Sequence, residues 1–166
     1  MLIGLIADTH GYLDPRVPPV LKGVDLILHA GDIGAERVLA ALATIAPVTA
    51  VAGNNDAKLA ELGLPLRVDM ELEGVKLHLV HRLIDAAPAP GTRIVVYGHS
   101  HKALVVEREG VLWVNPGAAG RVGFHHEVTL ALLRLKNGRC EAELVLLGPR
   151  VPAARGPPPA TLSAQT

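Results

Sequence analysis

The residues of this chain best suited to chemistry are aspartates, histidines and an asparagine placed directly after short apolar runs. Leu2 to Ala7 hands over to Asp8-Thr9-His10, and Asp25 to Ala30 to Gly31-Asp32. Val48 to Ala52 hands over to Gly53-Asn54-Asn55-Asp56, Val75 to Val80 to His81, and Arg93 to Tyr97 to Gly98-His99-Ser100-His101. Packed together unpaired, such groups would be costly to bury. Divalent cations remove that cost by turning carboxylate oxygen and neutral imidazole nitrogen into ligands. Asp8, His10, Asp32, Asn54, His81, His99 and His101 exceed the needs of one tetrahedral ion and suffice for two ions that share a carboxylate. The mixture of nitrogen and oxygen donors without thiolate favours Mn, Fe, Zn, Co or Ni over a soft metal. Two ions about 3.5–4 Å apart can clamp the attacking and leaving oxygens of a phosphoryl transfer.

For these groups to meet, the apolar runs must be strands whose carboxyl ends share one rim, where ligands bind in open α/β sheets. Their continuous apolar character suits strands buried on both faces. Between the second and third runs, Val38, Leu39, Leu42 and Ile45 recur at helical spacing within Gly34 to Ala46, and Pro47 ends that helix. Pro15 to Gly23 reads as a short helix with Pro18 and Pro19 in its first turn. From Leu66 onward paired runs flank Glu73-Gly74, Glu109-Gly110 and Asn137-Gly138, which are two-residue hairpin turns. A βαβαβ opening followed by hairpins predicts an α/β protein of two sheets packed face to face with helices outside. The folded unit is expected over 1–148, followed by a Pro/Ala-rich tail over 149–166 with too few large apolar residues to fold alone.

At 166 residues the chain is about one domain. Lysine plus arginine and aspartate plus glutamate number 16 each, which removes the long-range attraction expected of a dedicated nucleic-acid or acidic-membrane binder. The lone Cys140 excludes an internal disulfide and a cysteine zinc knuckle. The start lacks the basic region of a signal peptide, and no apolar run has the length of a membrane span, so a cytoplasmic protein is expected.

The order Asp-Thr-His-Gly, Gly-Asp, Gly-Asn-x-Asp, a strand-end His, Gly-His-Ser-His and Asn-Pro-Gly resembles the calcineurin-like metallophosphoesterases, in particular their small bacterial and archaeal phosphodiesterases. The resemblance runs from Met1 to about Gly148. It implies a four-layer αββα sandwich of two mixed β-sheets flanked by helices. It also implies two divalent metal ions, manganese first among them. Asp8, His10, Asp32 and His101 would hold one ion and Asp32, Asn54, His81 and His99 the other, with Asp32 bridging. The implied reaction is hydrolysis of a phosphodiester, or of an activated phosphomonoester, by metal-bound hydroxide without a covalent intermediate. Asp32, Asn54 and Asn55 are the residues assigned to catalysis. A small phosphate ester is the expected partner, and relatives are often homo-oligomers. The alternative is a non-catalytic scaffold that binds protein, as a eukaryotic retromer subunit resembling this family does.

Two positions depart from the family pattern. Asn55 stands where many relatives carry a His; it can donate a hydrogen bond and cannot act as a general acid near pH 7. His81 is followed by Arg82 rather than Gly, and by a short, Pro-rich segment over Leu83 to Thr92. The remaining histidines read more plainly: His29 as a core histidine or an orienter of the site, His78 as structural or exposed, His125 and His126 as surface loop residues. Asp56 reads as a capping or supporting group, Asn115-Pro116-Gly117 as a turn, and Arg121 as a candidate phosphate binder.

Overall fold

The apolar runs that open the chain become β1 (Leu2–Ile6), β2 (Leu26–His29) and β3 (Val48–Ala50), paired in parallel. The structure, a computed structural model, describes residues 1–151, so the tail from residue 152 on lies outside the described residues. The helical spacing becomes α1 (Val17–Leu21), with its prolines in the first turn, and α2 (Glu36–Ala43). The hairpin-rich remainder forms β4 (Arg67–Leu72), β5 (Val75–Val80), β6 (Ile94–Val96), β7 (Leu104–Arg108), β8 (Val111–Asn115), β9 (Glu127–Lys136) and β10 (Arg139–Pro149).

These strands build two mixed five-stranded sheets, ordered β10-β9-β1-β2-β3 and β4-β5-β6-β8-β7. In the second sheet β5, β6 and β8 are parallel, with β4 and β7 antiparallel at the edges. The expected hairpin turns form at all three places. Both central residues have positive φ in each, as in Asn137 (51°) and Gly138 (72°), the type I′ geometry whose twist matches that of the strands it joins.

Alternation along the strands assigns the two faces. Ile3, Leu5 and Ala7 of the first sheet meet Leu77, Leu79, Ile94, Val96, Leu112 and Val114 of the second in the central core. The other face of the first sheet, with Ile6, Ile27 and Leu130, packs on Val17 and Leu21 of α1 and Val38 and Leu42 of α2. Each fully buried aliphatic side chain is worth about 1.5–3 kcal/mol. Four layers are thus in place, and the outer ones are unequal. Over the second sheet lies the segment containing the 3-10 turn Leu83–Asp85, which covers His78. His78 donates Nδ1–H to the Asp69 carboxylate and accepts at Nε2 from the Ala87 amide, a structural role. No helix among the described residues is long and apolar enough to cross a membrane.

Candidate metal centre

Parallel β1, β2 and β3 and parallel β5 and β6 all end at one rim, so their polar termini meet there. The parallel ladder runs past the strand ends: the Asp8 amide donates to the Gly31 carbonyl at 3.0 Å and the His10 amide to the Asp32 carbonyl at 2.9 Å. The sheets are stitched together at the same place. His81, from the second sheet, donates Nδ1–H to the Ala30 carbonyl at 2.7 Å, and the His99 amide donates to Asp8 Oδ2 at 3.0 Å. Gly31 has φ of 85°, and a Cβ there would run into the His81 ring, so this approach requires glycine.

Asp8, His10, Asp32, His99 and His101 all have positive φ, between 47° and 68°. Non-glycine residues held in this region cost about 1–3 kcal/mol each and persist where the surroundings over-determine them. Here they turn the side chains of Asp8, His10, Asp32 and His101 toward one cluster, where an extended backbone would send them to alternate faces.

One group comprises Asp8, His10 and His101. His101 Nε2 lies 3.3 Å from Asp8 Oδ1 and 3.3 Å from His10 Nε2. A second comprises Asp32, His81 and Asn54. His81 Nε2 lies 3.3 Å from Asp32 Oδ1 and 3.1 Å from Asn54 Oδ1. Ligand atoms of Asp8, His10 and His101, and likewise of Asp8, Asp32 and His81, fall within 4.8 Å of one another. His99 is exposed, its ring edge-on to His81 with centroids 5.1 Å apart. Six of the seven residues singled out in the sequence thus bring donor atoms together, and His99 lies beside them against the His81 ring.

The donor set fits a cation on two grounds. Asp8 is fully buried, and its Oδ1 has no hydrogen-bond partner among the described residues, an expensive condition for a carboxylate. With Nδ1–H donated to the Ala30 carbonyl, the other nitrogen of His81 is the one free for a ligand, and it faces oxygens of Asp32 and Asn54. Acceptors facing acceptors repel unless a positive charge sits between them.

Asn55, though exposed, reaches Asp32. Its backbone amide donates to Asp32 Oδ1 at 2.9 Å and its side-chain amide to Asp32 Oδ2 at 2.6 Å. Asp56 accepts from the amides of Ile33, Gly34 and Gly53 and so ties the third strand end to the second. His29 is fully buried with Nε2 3.0 Å from Thr9 Oγ1, whose hydroxyl donates to the Ile33 carbonyl. Burial pushes His29 from 6.5 down to about 4, which keeps it neutral and uncharged behind the site.

Four further residues take up definite contacts around this rim. Asn115 donates to the Gly98 carbonyl and Ser100 Oγ at 3.0 Å each, holding the Gly98–His101 turn. Arg82 is tied to Asp85 at 2.6 Å, so its charge is already paired. It borders a cleft of about 680 Å³ with Asn54, His81, Arg67 and Leu66, within the size range of small-ligand sites. His125 is buried rather than at the surface, and its Nδ1 lies 3.3 Å from His101 Nδ1. Burial also holds its basicity below the ordinary value. Arg121 stacks over Tyr12, 4.1 Å from the ring centroid. The Asn-Pro-Gly motif marked Asn115, whereas the only local signal for His125 was its residue type.

Comparison with known proteins agrees with this geometry. The calcineurin-like phosphoesterase superfamily domain matches residues 1–138. A probable metallophosphoesterase of Methanothermobacter thermautotrophicus is 30% identical, with 89% of this chain and 94% of the relative covered. A phosphodiesterase of Methanocaldococcus jannaschii is 27% identical, covering 70% of this chain and 83% of the relative. The zinc-bound structure of Vps29 from Entamoeba histolytica shares the fold with a TM-score of 0.66 at 21% identity, covering 88% of this chain and 99% of that one.

Proposed function

This chain belongs to the calcineurin-like phosphoesterase superfamily, and from that premise we propose that it hydrolyses phosphodiesters with two bound divalent metal ions. Asp8, His10, Asp32 and His101 would hold one ion, and Asp32, Asn54, His81 and His99 the other. The observation that carries the reading is the meeting of buried acceptors, Asp8 Oδ1 with His101 Nε2 and Asp32 Oδ1 with His81 Nε2, at a rim shared by both sheets. Bound there, the ions would polarise the ester and lower the pKa of an attacking water.

The chain's own groups define the rest. The Asn55 amide and backbone N–H restrain both oxygens of Asp32, leaving that carboxylate one orientation. Neither Asn54 nor Asn55 carries an acidic proton for a departing alkoxide, so esters with good leaving groups should react fastest. The cleft beside Asn54 and His81 offers the Arg67 guanidinium to an anionic substrate. A small phosphate ester, manganese as the first metal, a cytoplasmic setting and a homo-oligomeric state complete the proposal. The nitrogen and oxygen donor set is the ground for the metal.

Hydrolysis of bis-p-nitrophenyl phosphate in the presence of Mn²⁺ or Ni²⁺ tests the reading. Turnover by the wild-type chain that disappears in Asp32→Ala is the expected result. A wild-type protein that binds metal and stays inert, beside an active relative assayed in parallel, would instead support a metallophosphoesterase-fold scaffold for protein binding.

A further inference from the structure

Resting on the metal-site reading above, we infer that His125 is a positioning residue that sets the tautomer of His101 and thereby makes His101 Nε2 a metal ligand. The reasoning starts at a carbonyl. His125 Nε2 lies 2.9 Å from the Gly120 oxygen, which can only accept, so the proton of His125 sits on Nε2. A neutral His125 then presents a lone pair at Nδ1, and 3.3 Å away is His101 Nδ1. That contact is a hydrogen bond only if His101 carries its proton on Nδ1. The remaining nitrogen, His101 Nε2, is left with a lone pair directed at His10 Nε2 and at the orphaned Asp8 Oδ1. The relay Gly120 to His125 to His101 accounts for why a buried carboxylate oxygen beside an imidazole receives no proton from it.

The loop that carries His125 is held firmly enough for this. The Ala119 amide donates to the Ala7 carbonyl, at the end of the strand that delivers Asp8. On the other side, Arg150 donates from Nη1 to the Arg121 carbonyl and from its backbone to the His126 carbonyl, both at 2.8 Å. Between them Gly123, with φ of 121°, packs its bare Cα against His101, and a Cβ there would overlap the ring. Val122 and Phe124 point outward, while Gly120 packs on the Asp8 and Thr9 backbone and Gly123 and His125 face His101.

Outer partners of a ligating histidine are typically worth 10–100-fold in metal affinity. Calorimetric titration of the full chain with Mn²⁺ should show two ions bound by the wild type. In His125→Phe, which keeps the ring volume and loses both hydrogen bonds, one of the two should weaken 10–100-fold. His125→Gln can still donate to Gly120 and accept from His101, and should return affinity to within about threefold of wild type. Nitrogen-15 spectra of the metal-free protein read the tautomer directly: His101 should be protonated at Nδ1 in the wild type and in His125→Gln, and not in His125→Phe. Unchanged affinity in His125→Phe, or a wild-type His101 protonated at Nε2, would overturn the role of His125 alone. A wild-type chain that takes up no metal would overturn the metal-site reading and this role with it.

Discussion

The two rims of this sandwich use the same unfavourable backbone conformation for opposite purposes. At the rim where the hairpins turn, Glu73, Glu109 and Asn137 adopt positive φ, each followed by a glycine that does the same. These residues are exposed, and their conformation serves strand register. At the other rim Asp8, His10, Asp32, His99 and His101 adopt positive φ, and Asp8 and His99 each have a second such residue two positions on, His10 and His101. There the carboxylates are buried and the conformation serves aim. The lesson is that positive φ alone does not mark a site. It does so where it coincides with burial and with polar atoms left facing one another.

The sharpest way to break the contrast is His10→Gly. The substitution relieves the backbone and deletes a proposed ligand, so metal-dependent turnover should fall by at least ~10²-fold, while the metal-free protein keeps its melting temperature or gains slightly. A variant as active as wild type would show that this rim's conformation is not serving aim. Acid provides the second contrast. His29 is held down from 6.5 to about 4 by burial, so the unfolded chain binds more protons than the folded one between those values. Its contribution is intact above pH 6.5 and is lost as the pH falls toward 4, by up to about 3 kcal/mol. Urea unfolding of wild type and His29→Gln at pH 7 and pH 4 should show the variant losing less. Equal losses would remove His29 from the account.

Metal should act at one rim only. At a concentration 100 times Kd, each ion bound to the folded chain alone adds about 2.7 kcal/mol, read as a rise in melting temperature reversed by chelator. Asp8→Ala should lose part of that rise, and Glu109→Asn at the far rim none of it. The smallest effect belongs to the turns. Glu73→Asn puts a residue tolerant of positive φ into the first turn position and should stabilise by a few tenths of a kcal/mol, with turnover unchanged. A loss of activity in that variant would mean the rims are coupled.

Much of this was legible along the chain. Buried strands announce themselves as apolar runs, Asn137-Gly138 and its two counterparts as turns, and Val38, Leu39, Leu42 and Ile45 as one face of a helix, because each pattern depends on neighbours a few residues away. Strand-helix-strand connections make the first three strands parallel and so put Asp8, Asp32 and Asn54 at one rim, whereas the packing of the two sheets brings His81, His99 and His101 to it. Less legible was the cover of the second sheet, where the short segment after Arg82 leaves a single 3-10 turn in place of a helix.

Only the tertiary structure decided what each polar atom does at that rim. The Ala30 carbonyl, 51 positions from His81, settles which of its nitrogens is free. Asn55 donates its amide to Asp32, and Arg82 pairs with Asp85. His125, 24 positions from His101, reads in sequence as an ordinary loop histidine and comes to lie against its ring. The physical reason is common to all four. Residue type says which bonds a side chain can make, whereas donor and acceptor roles are assigned by whichever partner the fold brings within 3 Å or so.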